Sequence, residues 1–262
     1  MYSKPIGFFD SGVGGTSIWQ EVYEAMPFED TIYLADSKNA PYGAKSANEI
    51  LELSIKNTEL LLRHHCKIIV VACNTATTNA IDYLRKNYDV PFIGIEPAIK
   101  PAAMQSNSKA VGVLATKGTL SSALFHSTAK LHAQGIKVLE QEGLGLVPLI
   151  EAGKIHTKET RELLQKYLEP MLVNGIDYLV LGCTHYPYLI PVLKELLPKE
   201  VKIVDSGEAV ARQTKLILKK HQLLQTEKRE SRHQLYTNSN THVLSNFLRD
   251  IEGNLEIAYR DF

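Results

Sequence analysis

Cys73 and Cys183 have the residue type and the setting to do chemistry. Each follows a short apolar run, Ile68-Ile69-Val70-Val71-Ala72 in one case and Tyr178-Leu179-Val180-Leu181-Gly182 in the other. Each is followed by hydrogen-bonding residues, Asn74-Thr75 and Thr184-His185, and the second set stands 110 residues after the first. A thiol can act as a base because its pKa starts near ~8.5 and falls beside a cation or a helix N-terminus. Two thiols on opposite sides of a carbon acid could take a proton from one face and return one to the other, inverting the stereocentre. The plainer reading is a buried cysteine filling a strand end. That reading suits Cys66, which follows His64 and His65 just before a strand. The matched register of Cys73 and Cys183 favours function.

Two other sharp readings share these residues. Cys73, Cys183, His185 and Asp10 could ligate zinc, but there is no C-x-x-C or H-E-x-x-H, and Cys183-Thr184-His185 has a single intervening residue. The turn Asp10-Ser11-Gly12-Val13-Gly14-Gly15 carries part of a G-x-G-x-x-G, with Ser17 at the third glycine position, which is weak support for a dinucleotide. The same glycines can open backbone N–H groups toward a carboxylate at a helix start. Pro41-Tyr42-Gly43 reads as a turn. Thr116-Lys117-Gly118-Thr119 supplies two threonines that either donate to a carboxylate or cap the next helix.

The elements that must position these residues alternate between strand and helix. Ile6-Gly7-Phe8-Phe9 and Ile68 to Ala72 are too short for helices and too uniformly apolar for half-exposed strands, so they read as central parallel strands. Residues 47–64 carry apolar side chains at three- and four-residue spacing, an amphipathic helix. The pattern repeats. Ile6-to-Phe9 matches Val111-to-Leu114, and Ile32-Tyr33-Leu34 matches Lys137-Val138-Leu139, both 105 residues on; Pro91-to-Ile95 matches Val201-to-Asp205, 110 on. The helix at 47–64 has its counterpart at 158–173. This predicts an α/β fold of two similar parallel-sheet lobes related by pseudo-two-fold symmetry, with the active site between them at the carboxyl ends of the strands. The first lobe takes residues 1–96 plus 207–262 and the second 97–206. The returning segment is expected to form a helix over 208–220, a strand near 235–237, a helix over 243–251 and a strand over 255–259. The polar run Gln225 to His233 reads as a solvated connector.

Composition narrows the classes. The 262 residues carry 29 basic and 29 acidic side chains, so no global cationic field exists to hold nucleic acid. With 22% charged and 44% hydrophobic residues the chain is an ordinary globular one. Three widely spaced cysteines argue against a disulfide framework and for a reducing compartment. No apolar run approaches the roughly 18 residues needed to span a bilayer, and Met1 to Pro5 shows no signal-peptide pattern. A cytoplasmic protein without a membrane partner is expected.

Phe9-Asp10-Ser11-Gly12-Val13-Gly14-Gly15, Pro41-Tyr42-Gly43, Ala72-Cys73-Asn74-Thr75-Ala76 and Leu181-Gly182-Cys183-Thr184-His185-Tyr186-Pro187 together resemble the glutamate racemases of the aspartate/glutamate racemase superfamily. The resemblance runs from Ile6 to about Glu208. It implies a cofactor-independent isomerase, without a metal, that supplies D-glutamate for peptidoglycan and forms a homodimer. By analogy Cys73 serves the D-enantiomer and Cys183 the L-enantiomer. Asp10 would assist Cys73 and bind the substrate ammonium, His185 would assist Cys183, and Glu151 would line the second thiol's side. Ser11, Tyr42, Gly43, Asn74, Thr75, Thr119 and Thr184 would hold the carboxylates and the amine. The chain departs from the pattern at Ala115, where glycine is common, and in Asp36-Ser37-Lys38-Asn39-Ala40, which lacks a usual threonine. The alternatives are aspartate or another acid as substrate, and a two-lobed binding module without turnover. Water exclusion would strengthen every polar contact, so the lobes are expected to close on substrate.

Overall fold

A computed structural model describes residues 4–95 and 98–262. The expected lobe junction at 96/97 lies outside the described residues. Among the described residues the strands are, in chain order, β1 (Ile6–Asp10), β2 (Thr31–Ala35), β3 (Ile68–Val71), β4 (Phe92–Gly94), β5 (Ala110–Ala115), β6 (Lys137–Glu142), β7 (Tyr178–Gly182), β8 (Lys202–Val204), β9 (His233–Thr237) and β10 (Leu255–Tyr259). They form two sheets, β10-β9-β2-β1-β3-β4 and β6-β5-β7-β8, in which every pairing is parallel.

The two sheets share one strand order, β2-β1-β3-β4 answering β6-β5-β7-β8. Gly7 faces Ile32 and Ile69, while Gly112 faces Leu139 and Leu179. Ile69 and Leu179 therefore correspond at the expected offset of 110, but Ile32 corresponds to Leu139, an offset of 107 rather than 105. Phe92 and Ile203 correspond at 111 rather than 110. Short loop insertions shift strands along the chain without changing their neighbours. An apolar pattern alone cannot fix register to the residue.

Burial explains why these segments are strands. β1, β3 and β7 are buried along their whole length, covered by helices on both faces. Successive side chains alternate between faces: Phe8 packs with Trp19, Val22 and Leu218, and Phe9 with Leu61 and Leu84. Each fully buried aromatic or leucine contributes about 1.5–3 kcal/mol. β6, with the sequence KVLEQE, is partly exposed throughout, as a sheet edge requires.

The helices begin and end close to where periodicity placed them, at Ala47–Arg63, Lys158–Val173 and Gly207–Lys220. A reciprocal Ser46–Glu49 capping box starts the first. After Gly207–Lys220 the chain adds β9 beside β2, then the helix Thr241–Leu248 and β10. The polar run before β9 is not merely solvated: Arg229 pairs with Asp30, the Ser231 hydroxyl donates to the Pro27 carbonyl at 2.8 Å, and His233 is buried. Among the described residues no helix is long and apolar enough to cross a membrane.

Candidate active site

Parallel register brings the site residues together. Phe9 faces Val71, so Asp10 and Ser11 leave β1 beside Ala72 and Cys73. In the second sheet Ala115 faces Gly182, so Thr116 leaves β5 beside Cys183. Both cysteines line one small cavity between the sheets, with room for roughly one water molecule.

Cys73 caps the helix Asn74–Asn87; its Sγ accepts from the Ala76 N–H at 3.4 Å and donates toward the Ser11 hydroxyl at 3.7 Å. A helix N-terminus was expected to lower this thiol's pKa, and the outcome is the reverse. Burial, followed by the negative charge of Asp10, pushes it well above the ordinary thiol value, and the Ala76 amide offsets only part of the rise.

Asp10 is fully buried behind Ser11. Its Oδ2 accepts from the Gly15 N–H at 2.8 Å and the Gly12 N–H at 3.3 Å; its Oδ1 accepts from the Thr184 and Ser11 hydroxyls, each at 3.4 Å. Burial raises its carboxyl above the usual value, and the charge of His185 and the Gly15 amide pull it back.

On the other side Cys183 Sγ lies 3.9 Å from His185 Nδ1, and His185 Nε2 lies 2.6 Å from Glu151 Oε1. Burial alone would push this imidazole down, but its hydrogen bonds to Cys183 and Glu151 prevail and hold it well above the ordinary histidine value, as an imidazolium. Gly14 N–H points at the same Nε2 from 3.2 Å. One ring nitrogen cannot accept there and donate to Glu151 together. The protonated ring donates to Glu151, which also accepts the Val13 N–H at 2.9 Å.

Of the expected residues, Ser11, Tyr42, Gly43, Cys73, Asn74, Thr75, Cys183, Thr184 and His185 line the cavity, while Asp10 and Glu151 stand behind Ser11 and His185. Thr119 is fully buried behind Thr116, 3.1 Å from its hydroxyl, and Thr116 occupies the wall. The Tyr42 hydroxyl is already engaged, donating to Asp36 at 2.5 Å and accepting from Asn57 at 3.1 Å. Val147 also lines the cavity, and nothing in the apolar run Leu146-Val147-Pro148-Leu149-Ile150 distinguishes it from its core neighbours. Asn74 Nδ2 is buried without a hydrogen-bond partner.

The glycine turn serves the lobe contact. A Cβ on Gly12 would come within 2.1 Å of Glu151 Oε1, and one on Gly14 within 2.2 Å of His185 Nδ1. These glycines are therefore needed for the approach of the second sheet's side chains, which requires no nucleotide. Among the described residues no group of three or more histidine, cysteine and acidic side chains converges as a metal site would require. Cys66 packs against Gly7 with its thiol pushed up to about 12 by burial, an inert core residue.

Two parallel α/β sheets with a thiol from each at a shared cavity are an arrangement suited to an enzyme that inverts a carbon acid. The chain belongs to the Asp/Glu/hydantoin racemase family, whose model matches residues 16–214. It is 50% identical over 224 residues to the glutamate racemase of Ectopseudomonas mendocina, covering 85% of each chain. Its fold is similar to glutamate racemase isoform RacE1 of Bacillus anthracis, with a TM-score of 0.89 at 28% identity over 100% of this chain and 98% of that one. It is also similar to Escherichia coli glutamate racemase in complex with L-glutamate and the activator UDP-MurNAc-Ala, with a TM-score of 0.86 at 32% identity over 98% of both chains.

Proposed function

We propose that this protein interconverts L-glutamate and D-glutamate without a cofactor, one thiol removing the α-proton and the other returning a proton to the opposite face. The observation that carries the reading is the opening of Cys73 and Cys183 into one cavity from equivalent strand ends of two sheets. Cys73 would act on D-glutamate, with Asp10 taking its proton through Ser11. Cys183 would act on L-glutamate, with the His185 imidazolium balancing its thiolate and Glu151 holding that ring.

The α-proton is far less acidic than a thiol, so most of the barrier must be removed by stabilising the carbanion-like state. Donors face the cavity for that purpose. The first N–H groups of the helix Asn74–Asn87 have no intrahelical partner, and Asn74 Nδ2 has none at all. Thr75, Thr116 and Thr184 add hydroxyls. Room for about one water cannot admit glutamate, so the lobes, 1–96 plus 207–262 against 97–206, must part and close. Ser17 with Thr184, Thr16 with Tyr188, and Thr75 with Thr116 join the two sides at 2.9, 2.5 and 2.8 Å.

The D-glutamate formed in the cytoplasm would enter peptidoglycan; the homodimer implied by family likeness is tested by sedimentation. The deciding experiment incubates L-glutamate with the protein in deuterium oxide, with no cofactor added. Loss of optical rotation with one α-deuterium incorporated supports the proposal. Unchanged rotation with no label overturns it, and faster turnover of aspartate would move the substrate.

A further inference from the structure

Tyr33 on β2 has no part in the scheme above, yet its hydroxyl donates to the Gly12 carbonyl at 2.8 Å and the whole side chain is buried. The turn it touches serves both thiol sides at once. Gly12 and Gly15 N–H groups hold Asp10, and Val13 N–H holds Glu151, which in turn holds His185. The hydroxyl is packed directly beneath the turn, since a Cβ on Gly15 would come within 2.8 Å of Tyr33 Oη and 2.6 Å of the Ala72 carbonyl. Burial and the charge of Asp10 keep the phenol protonated, so it is a permanent donor. Register fixes where it stands: Tyr33 faces Phe8 on the neighbouring strand, two residues before β1 ends at Asp10.

We infer that Tyr33 is a positioning residue for catalysis, fixing the Gly12–Gly15 turn so that its amides hold the acid/base partners of both thiols. The inference rests on the proposed racemisation. Its ligand is the protein's own backbone, so Tyr33 touches no substrate.

Tyr33→Phe tests it, because the ring and its packing stay and only the hydroxyl leaves; Tyr33→Met fills the site in another way should the first variant fail to fold. Tyr23→Phe is the matched control, deleting a hydroxyl that donates to the Glu252 carbonyl at 2.6 Å. A turn free to shift costs roughly tenfold in kcat in both directions, with KM changed less than about twofold. Weaker amide bonds to Asp10 favour its neutral form, so the acid limb of kcat/KM moves to higher pH. Tyr23→Phe moves neither. A Tyr33 variant with wild-type kcat and pH profile overturns the inference, as does a kcat loss without movement of the acid limb. A wild-type protein that fails to racemise glutamate sinks the proposed function instead, which separates the two failures.

Discussion

His185 and Glu151 meet at 2.6 Å between Nε2 and Oε1, with the imidazole wholly buried and its other nitrogen facing Cys183. The carboxylate does more than orient the ring, since it is one of the interactions that keep the ring charged. Glu151→Gln keeps the shape and removes the charge, so His185 gives up its proton at lower pH than before. We expect kcat to fall by roughly 10²-fold, the low end of what a positioned acid–base group contributes, since the ring itself stays. The basic limb of the pH–rate profile should move toward neutrality. A profile whose basic limb stays in place would mean that Glu151 does not govern this ring.

Cys73→Ser places a hydroxyl where the proposed racemisation needs a thiol to exchange a proton. Serine is a far weaker acid than cysteine, so racemisation should fall by roughly 10³-fold or more. The fold should survive, because the replacement is smaller by little and the Ala76 N–H keeps an acceptor. Optical rotation with both enantiomers as substrate, beside a circular dichroism melt, checks both halves of the expectation. Near-wild-type rates would remove Cys73 from the scheme.

His233 contributes a pH-dependent share of stability. Its Nδ1 meets the Thr31 hydroxyl and its Nε2 the Ser231 hydroxyl, both at 2.8 Å, and burial lowers its pKa to about 4. The unfolded chain takes up this proton near ~6.5, so the unfolded state binds more protons between those values and stability rises with pH there. The contribution is present above about 6.5 and is lost as pH falls toward 4, at most about 3 kcal/mol. Urea unfolding at pH 7 and pH 5 should show a drop that His233→Gln flattens. An equal drop in the variant would assign the effect to other groups.

Much of this molecule is legible in its sequence because parallel strands covered on both faces must be apolar throughout, and amphipathic helices must show their period. Those constraints marked β3, β7 and the paired cysteines. They do not act where a residue's job depends on a neighbour distant in the chain. Tyr42 reads as part of a turn and becomes a ligand only through the family resemblance, and nothing local shows that Asp36 and Asn57 take its hydroxyl. Thr116 and Thr119 are alike in sequence, and only the turn of the intervening helix puts one on the wall and the other behind it. His233 sits in a polar run whose charges suggested solvent, while its ring packs on Trp19 and Tyr23. At Cys73 the Ala76 amide at the helix start does favour the thiolate, but burial and the nearby Asp10 carboxylate outweigh it, and neither is visible in the local sequence.

Lys67 and Glu29 form a buried ion pair at 2.6 Å; the ammonium also donates to the Leu223 carbonyl at 2.8 Å, and Glu29 accepts the Gln225 N–H at 2.8 Å. The pair ties the start of β3 to the segment that leads back into the first sheet. Lys67→Met strands the carboxylate, which should cost about 3–5 kcal/mol. Glu29→Leu combined with Lys67→Met should recover much of that, since apolar pairs often replace buried ion pairs without loss. Chemical denaturation of the two variants checks the order. A double variant no more stable than Lys67→Met would show that the backbone contacts matter more than the charge.

Gly14→Ala and Gly12→Ala separate the two explanations of the glycine turn. Neither glycine has a left-handed backbone, so alanine is not strained locally, and the cost comes from what lies opposite. At Gly12 the new methyl meets the Glu151 carboxylate, which accepts from Val13 and His185 but ends a longer side chain that can give way more easily than a ring. At Gly14 it meets the His185 ring, with Nδ1 at 2.2 Å and Cγ at 2.4 Å, and that ring is fixed between Cys183 and Glu151. Gly14→Ala should therefore depress kcat/KM by roughly 10²-fold, the scale of a displacement of about 1 Å at a reacting centre. Gly12→Ala should cost clearly less, and thermal stability of the separate cores should change little in either. If both substitutions depress activity equally, the turn acts through its own conformation and not through contact with His185.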